Sequence, residues 1–132
     1  MKSEWNNRLS VLIVDDNKVF RAVLKNTLKE YPQIGEITPA DDAEKMFIQI
    51  DENKLAPDLV FMNDSLPGIS GFEAAKRLLN IFPSIKVIIV TLHDTLENRA
   101  LAKESGAIAC IMKKNLVEEV ESILDLSGHQ AN

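Results

Sequence analysis

Pro57-Asp-Leu-Val-Phe-Met-Asn-Asp-Ser-Leu-Pro-Gly-Ile-Ser-Gly71 is the stretch on which the fold turns. Leu59 to Met62 are apolar, entered through Pro57 and ended abruptly by Asn63 and Asp64, the pattern of a strand buried on both faces. Pro67 and Gly68 make a short loop, and Ser70 with Glu73 forms a capping box that opens a helix running to Phe82. Strand, loop and capped helix are one unit of an α/β sheet, in which ligands sit beyond the carboxyl ends of the strands. The polar pair at Asn63 therefore marks where chemistry is to be sought.

Upstream, Leu9 to Val14 is a compact apolar run closed by Asp15 and Asp16, and it reads as a buried first strand. Val19, Phe20, Val23, Leu24, Thr27 and Leu28 recur at helical spacing until Tyr31-Pro32 stops them. Ile34 to Thr38 is a weaker strand, placed at an edge because Gly35 and Glu36 interrupt it. Asp41 or Asp42 can cap a helix with Ala43, Met46, Phe47 and Ile50 on one face, and Glu52 to Ala56 is a polar connection.

Downstream, Lys86 to Thr91 is a β-branched strand that ends in a hydroxyl. Asp94 with Glu97 caps a weakly amphipathic helix to Ser105, and Gly106 suits its left-handed C-terminal position. Ile108 to Met112 is a fifth strand followed by Lys113. A last helix starts at Asn115, with Glu118 as capping partner, and buries Leu116, Val117, Val120, Ile123 and Leu124. Ser127 to Asn132 reads as a flexible tail. Five strands alternating with five helices across short connections predict a doubly wound parallel sheet of the α/β class, because parallel strands need crossover helices. The expected organisation is one domain over residues 1–132, with its core between 9 and 126 and short flexible termini.

Composition narrows the function. The 132 residues are 45% hydrophobic and carry a formal net charge of -5, so the basic surface that phosphate-backbone binding needs is missing and direct nucleic-acid contact is not expected. Cys110, the one cysteine, lies in an apolar run and reads as a buried thiol, neither disulfide nor nucleophile. Met1 to Ser10 has no apolar signal region and no run approaches the ~20 apolar residues of a membrane span, so the cytoplasm is the default expectation and no membrane contact is expected.

Asp15 and Asp16, Asn63, Thr91 and Lys113 all fall at carboxyl ends of strands, where they are expected on one rim. Two carboxylates ~4 Å apart repel by roughly 4 kcal/mol at an effective dielectric of ~20, and a hard divalent cation relieves that repulsion. Magnesium suits such a pair because it binds through one or two carboxylates and shares its remaining coordination with water and phosphate. Thr91 can hydrogen-bond a phosphoryl oxygen and Lys113 can neutralise another, so the set has the chemistry of a phosphoryl-transfer site. Alone, Thr91 is an ordinary strand-end hydroxyl and Lys113 a solvated lysine; His93, with no second histidine near it in sequence, reads as a loop residue and not a metal ligand.

Val-Leu-Ile-Val-Asp-Asp (Val11 to Asp16), Pro-Asp-Leu-Val-Phe-Met (Pro57 to Met62) with Leu66-Pro67-Gly68 and Gly71, Val-Ile-Ile-Val-Thr (Val87 to Thr91), and Gly106-Ala107 with Ile111-Met112-Lys113 occur in order. Together they make the chain resemble the receiver domains of bacterial two-component response regulators over about Leu9 to Leu126. The resemblance implies a flavodoxin-like fold of strand order 2-1-3-4-5 and a signalling module, not an enzyme. It implies a carboxylate phosphorylated by a histidine kinase or a phosphotransfer protein. It further implies weakly bound Mg2+ held by Asp15, Asp16, the residue at 63 and the Ser65 backbone carbonyl, with Thr91 as switch hydroxyl and Lys113 as phosphate contact. The face formed by the fourth helix, fifth strand and fifth helix is the implied surface for a homodimer or an output partner. Thr-Leu-His-Asp after the fourth strand is most similar to regulators with a helix-turn-helix output.

The departures fall where the chemistry would occur. The phosphoacceptor position holds Asn63, and a neutral amide is a very poor nucleophile, so acyl-phosphate formation there is not expected. Asp64 occupies a place usually aliphatic, and strand alternation turns it away from the Asn63 side. Cys110 stands where an aromatic switch residue is usual, and Lys114 where proline often follows the lysine. Asn63 fits two histories: a substitution introduced to hold an unphosphorylated state, or a natural pseudo-receiver that acts as a phosphorylation-independent interaction module. Aspartate-nucleophile phosphatases are disfavoured because Asp15-Asp16-Asn17-Lys18 lacks their Asp-x-Asp pattern, and flavin binding because two acids stand where a phosphate loop is needed.

Overall fold

A computed structural model describes residues 8–52 and 56–126. The elements run β1 (Leu9–Val14), α1 (Lys18–Leu28), β2 (Ile34–Ala40), α2 (Ala43–Glu52), β3 (Leu59–Asn63), α3 (Gly71–Ile81), β4 (Lys86–Thr91), α4 (Leu96–Ser105), β5 (Ala109–Met112), a 3-10 turn (Lys113–Asn115) and α5 (Leu116–Leu126). All strand pairs are parallel and the sheet order is β2-β1-β3-β4-β5, as the resemblance implied. The strand read as an edge is β2, and Pro39 on it is tolerated because an edge strand has ladder positions that need no N–H.

Strand alternation sorts the core into two layers. Leu12 and Val14 of β1, Val60 and Met62 of β3, and Val87 and Ile89 of β4 pack with Met46, Ile50, Ala74, Leu78 and Ala102 of α2, α3 and α4. Val11 and Ile13, Leu59 and Phe61, Ile88 and Val90 face the other way, against Leu24 and Leu28 of α1 and Leu116, Val120, Ile123 and Leu124 of α5. Every one of these is buried, which is why the strands read as continuous apolar runs with no visible alternation.

Caps agree with the sequence in part. Ser70 Oγ accepts from the Glu73 N–H as the capping box requires, while the Glu73 carboxylate pairs with Arg77 Nε one turn on. Asp42, of the two candidates, caps α2 by accepting from the Lys45 N–H. Two expectations are corrected. Thr95, not Asp94, caps α4, because its hydroxyl accepts from the Asn98 N–H; Asp94 pairs instead with Arg99, whose guanidinium holds that carboxyl below the usual range. Val117 is 63% exposed, not buried: α5 begins at Leu116 after a 3-10 turn, which sets its inner stripe at Leu116, Val120, Ile123 and Leu124. Cys110 is only partly buried. The tail at 127–132 and most of the 52–56 connection lie outside the described residues. Among the described residues no helix is long and apolar enough to cross a membrane.

Two glycines carry the geometry. Gly106 ends α4 at φ 95°, the left-handed conformation that favours glycine. Gly71 opens α3 with its N–H donating to the Asp64 carbonyl at 2.9 Å, so close to the end of β3 that a Cβ would lie 1.9 Å from the Asn63 carbonyl oxygen. That contact sets where Asn63 and Asp64 sit. Gly71→Ala should force β3 and α3 apart and lower the unfolding free energy by about 2 kcal/mol or more in denaturant titration; an unchanged midpoint contradicts this account of the strand end.

Candidate functional site

Asp15, Asn63 and Lys113 follow residues of the layer that faces α1 and α5, two positions beyond Ile13, Phe61 and Ile111 respectively. Asp15 is buried directly after β1, its N–H bonded to the Ala40 carbonyl. Its Oδ1 accepts from the Asn17 N–H at 2.8 Å, and its backbone carbonyl accepts from the Arg21 guanidinium. Asn17 in turn caps α1 by accepting from the Phe20 N–H. The Asp15 carboxylate is thus held from behind by the loop it belongs to.

Lys113 closes the other side. Its Nζ lies 2.9 Å from Asp15 Oδ2 and 4.3 Å from the centroid of the Phe20 ring, and its side chain is 12% exposed. Oδ2 therefore faces the ammonium as the buried half of an ion pair. Asn63, 7% exposed at the end of β3, donates from Nδ2 to the Ser65 carbonyl at 2.8 Å. Asp16 is exposed.

Thr91 belongs to the opposite layer. It continues Val87 and Ile89, as Asp64 continues Val60 and Met62, so both side chains lie on the side of α2, α3 and α4. There the Thr91 hydroxyl donates to Asp64 Oδ2 at 2.9 Å and accepts from the His93 N–H at 3.0 Å and from Asn98 Nδ2 at 3.4 Å. Asn98 Nδ2 also donates to the His93 carbonyl at 2.9 Å. Partial burial, and after it the Asp64 charge, push the Cys110 thiol above its ordinary range. His93 contributes through its backbone, and its side chain is exposed.

Of the five residues expected on one rim, Asp15 pairs with Lys113 beside Phe20 on one face and Thr91 joins Asp64, His93 and Asn98 on the other, while Asn63 turns to the Ser65 carbonyl and Asp16 is exposed. Asp64 does turn away from Asn63, and doing so delivers it to Thr91. Sequence reasoning passed over this contact, although the shared parity of 60, 62 and 64 with 87, 89 and 91 was readable. A hollow of about 570 Å³ between α2 and the loop before α3, lined by Phe47, Ile48, Ile69 and Arg77 among others, shares no residue with either network.

A hard divalent cation fits the first network with conditions. Among the described residues no group of three or more His, Cys, Asp or Glu side chains is placed to hold a metal ion. Asp15 is a buried carboxylate at the rim and the exposed Asp16 is its neighbour, a two-carboxylate set that suits Mg2+ with much of its water retained. Lys113 stands on Asp15 and the Asn63 amide stands on the Ser65 carbonyl, so a cation has to displace both.

Residues 11–125 match the family model described as response regulator receiver domain. The response regulator GacA of Pseudomonas viridiflava is 34% identical over 118 residues, covering 87% of this chain and 53% of that protein. The transcriptional regulatory protein DegU of Brevibacillus brevis is 26% identical over 108 residues, covering 82% and 45%. The chain thus spans about half the length of these relatives. Among solved structures, a LuxR-family two-component response regulator from Aurantimonas superposes with a TM-score of 0.81 at 25% identity, over 91% of this chain and 85% of that one. A CheY-like receiver domain protein from Methanospirillum hungatei superposes at 0.75 and 27% identity, over 91% and 96%.

Calorimetric titration should give weak Mg2+ binding, and Lys113→Ala should tighten it about tenfold by removing a competing cation from Asp15. Submicromolar affinity in the unaltered chain, or no change in Lys113→Ala, contradicts this arrangement.

Proposed function

Because the chain belongs to the response regulator receiver domain family, we propose that it is a receiver of a two-component phosphorelay that signals without aspartyl phosphorylation, as an interaction module. The observation that carries this reading is Asn63: the acceptor position at the end of β3 holds an amide, and its Nδ2 is spent on the Ser65 carbonyl. A carboxylate oxygen attacks phosphorus with a free lone pair and negative charge, and an amide oxygen lacks that nucleophilicity.

The rest of the pocket keeps the parts of a receiver. Asp15 and Asp16 would hold Mg2+ with the Asn63 side-chain oxygen and the Ser65 carbonyl, and the ion would neutralise the charge of a phosphate brought to the pocket. Lys113 would turn from Asp15 towards that phosphate, and Thr91 would have to leave Asp64 to reach it. Both movements break contacts already made, which supports a module held in one state. Its partners would be a histidine kinase or phosphotransfer protein, and a second copy or output element on the face of α4, β5 and α5. Leu96 of α4, 87% exposed, Ile108 beside β5 and Val117 of α5 leave apolar surface there. The cytoplasm is the compartment in which such partners occur.

Intact-mass analysis after incubation with Mg2+ and acetyl phosphate tests the reading. The unaltered chain should gain no phosphoryl group, and Asn63→Asp should gain one labile to hydroxylamine. A phosphoryl adduct on the unaltered chain overturns it. No adduct on Asn63→Asp extends the loss of the switch beyond this single position.

A further inference from the structure

We propose that Asp64 is a positioning residue: it supplies, from within the chain, the anionic partner of the Thr91 hydroxyl and thereby holds the β4–α4 loop and the first turn of α4 in one arrangement with no phosphoryl group present. For its meaning in signalling this rests on the reading above, since it matters in a chain that is not phosphorylated. Its geometry stands apart from that reading.

A threonine hydroxyl has one proton to give and two lone pairs to receive. At Thr91, fully buried, all three are engaged. The proton has two acceptors in range, Asp64 Oδ2 at 2.9 Å and the His93 carbonyl at 3.2 Å, and the nearer, charged one takes it. The lone pairs receive the His93 N–H and the Asn98 amide. The His93 carbonyl is then left to Asn98 Nδ2, which meets it at 2.9 Å. One hydroxyl so joins the end of β3, the end of β4, the loop and the first turn of α4.

The carboxylate sets the direction of that circuit. With an aliphatic residue at 64 the hydroxyl proton would fall to the His93 carbonyl, in competition with Asn98, and the bond from β3 to β4 would be lost. Leu92 and Leu96, both exposed, lie on the segment held in this way, so the same contact fixes how they are displayed. The backbone gives Asp64 little freedom to do otherwise: its N–H donates to the Val90 carbonyl and its carbonyl accepts from the Gly71 N–H.

Native-state amide hydrogen exchange on the unaltered chain, Asp64→Leu, Asp64→Asn, Thr91→Val and the double variant Asp64→Leu/Thr91→Val, without Mg2+ or any phosphodonor, tests the latch. Asp64→Leu should speed exchange of the His93 amide about tenfold, the loss expected for one charge-assisted hydrogen bond. Thr91→Val should do at least as much, and the double variant should exchange no faster than Thr91→Val. Asp64→Asn, which keeps an acceptor oxygen, should fall between the native and leucine rates, and it carries the test if Asp64→Leu fails to fold. Amides of Leu12 and Ile13 in β1 report global opening, and the effect at His93 has to exceed theirs. Unchanged His93 exchange in Asp64→Leu, multiplicative effects in the double variant, or an equal rise in β1 overturns the proposal. Because no phosphodonor is present, these outcomes are independent of whether the unaltered chain proves phosphorylatable.

Discussion

The ion pair between Lys113 and Asp15 is the contact on which the arrangement of the rim depends. A lysine whose side chain is 12% exposed, with its ammonium over the Phe20 ring, needs a carboxylate nearby, because leaving one buried charge without its partner is costly. Residue 63 is an amide and supplies no charge, and Asp15 is the carboxylate that Lys113 meets. The acidic pair at the end of β1 is thereby half neutralised by the chain itself. Asn63 follows the same rule, its amide satisfied on the Ser65 carbonyl two residues away. The site is closed by its own residues, and any cation or phosphate entering it has to compete with them.

Strand alternation then divides the labour between the two faces of the sheet. Asp15, Asn63 and Lys113 continue the layer against α1 and α5, and Asp64 with Thr91 continues the layer against α2, α3 and α4. A one-residue step along β3 separates an amide on the side of Asp15 and Lys113 from a carboxylate facing the Thr91 hydroxyl. Gly71 keeps both in place by letting the start of α3 approach the Asn63 carbonyl more closely than any side chain allows. The two networks share a backbone and no side chain, and the backbone joins them through the end of β3 and through the β4–β5 pair Thr91 and Met112.

Much of this was legible in the residues. The buried strands and the αL end of α4 at Gly106 were readable because apolar runs and positive-φ glycine have one physical explanation each. The edge position of β2 followed from Gly35 and Glu36. The misplaced details were those decided by competition between equivalent groups. Asp94 and Thr95 can both cap α4, and Arg99 settled the matter by engaging Asp94. Val117 satisfies the helical stripe on paper, and the 3-10 turn before α5 rotates it out. The strand-end positions of Asp15, Asp16, Asn63, Thr91 and Lys113 were readable, yet the pairing of their side chains was not, because a sequence states which groups are charged and not which partner each selects. Asp64 was dismissed for facing away from Asn63, when the direction it faces is its role.

The central claim is that charge at the rim is settled internally, with Lys113 committed to Asp15 because residue 63 is neutral. A double-mutant cycle of Asp15→Asn and Lys113→Met, measured by chemical denaturation in the Asn63 chain and again in Asn63→Asp, addresses it most directly. The account predicts a favourable coupling of about 1 kcal/mol or more in the Asn63 chain, and a smaller one in Asn63→Asp, where the ammonium is shared between two carboxylates. Additive effects in the Asn63 chain, or the same coupling in both backgrounds, would contradict it.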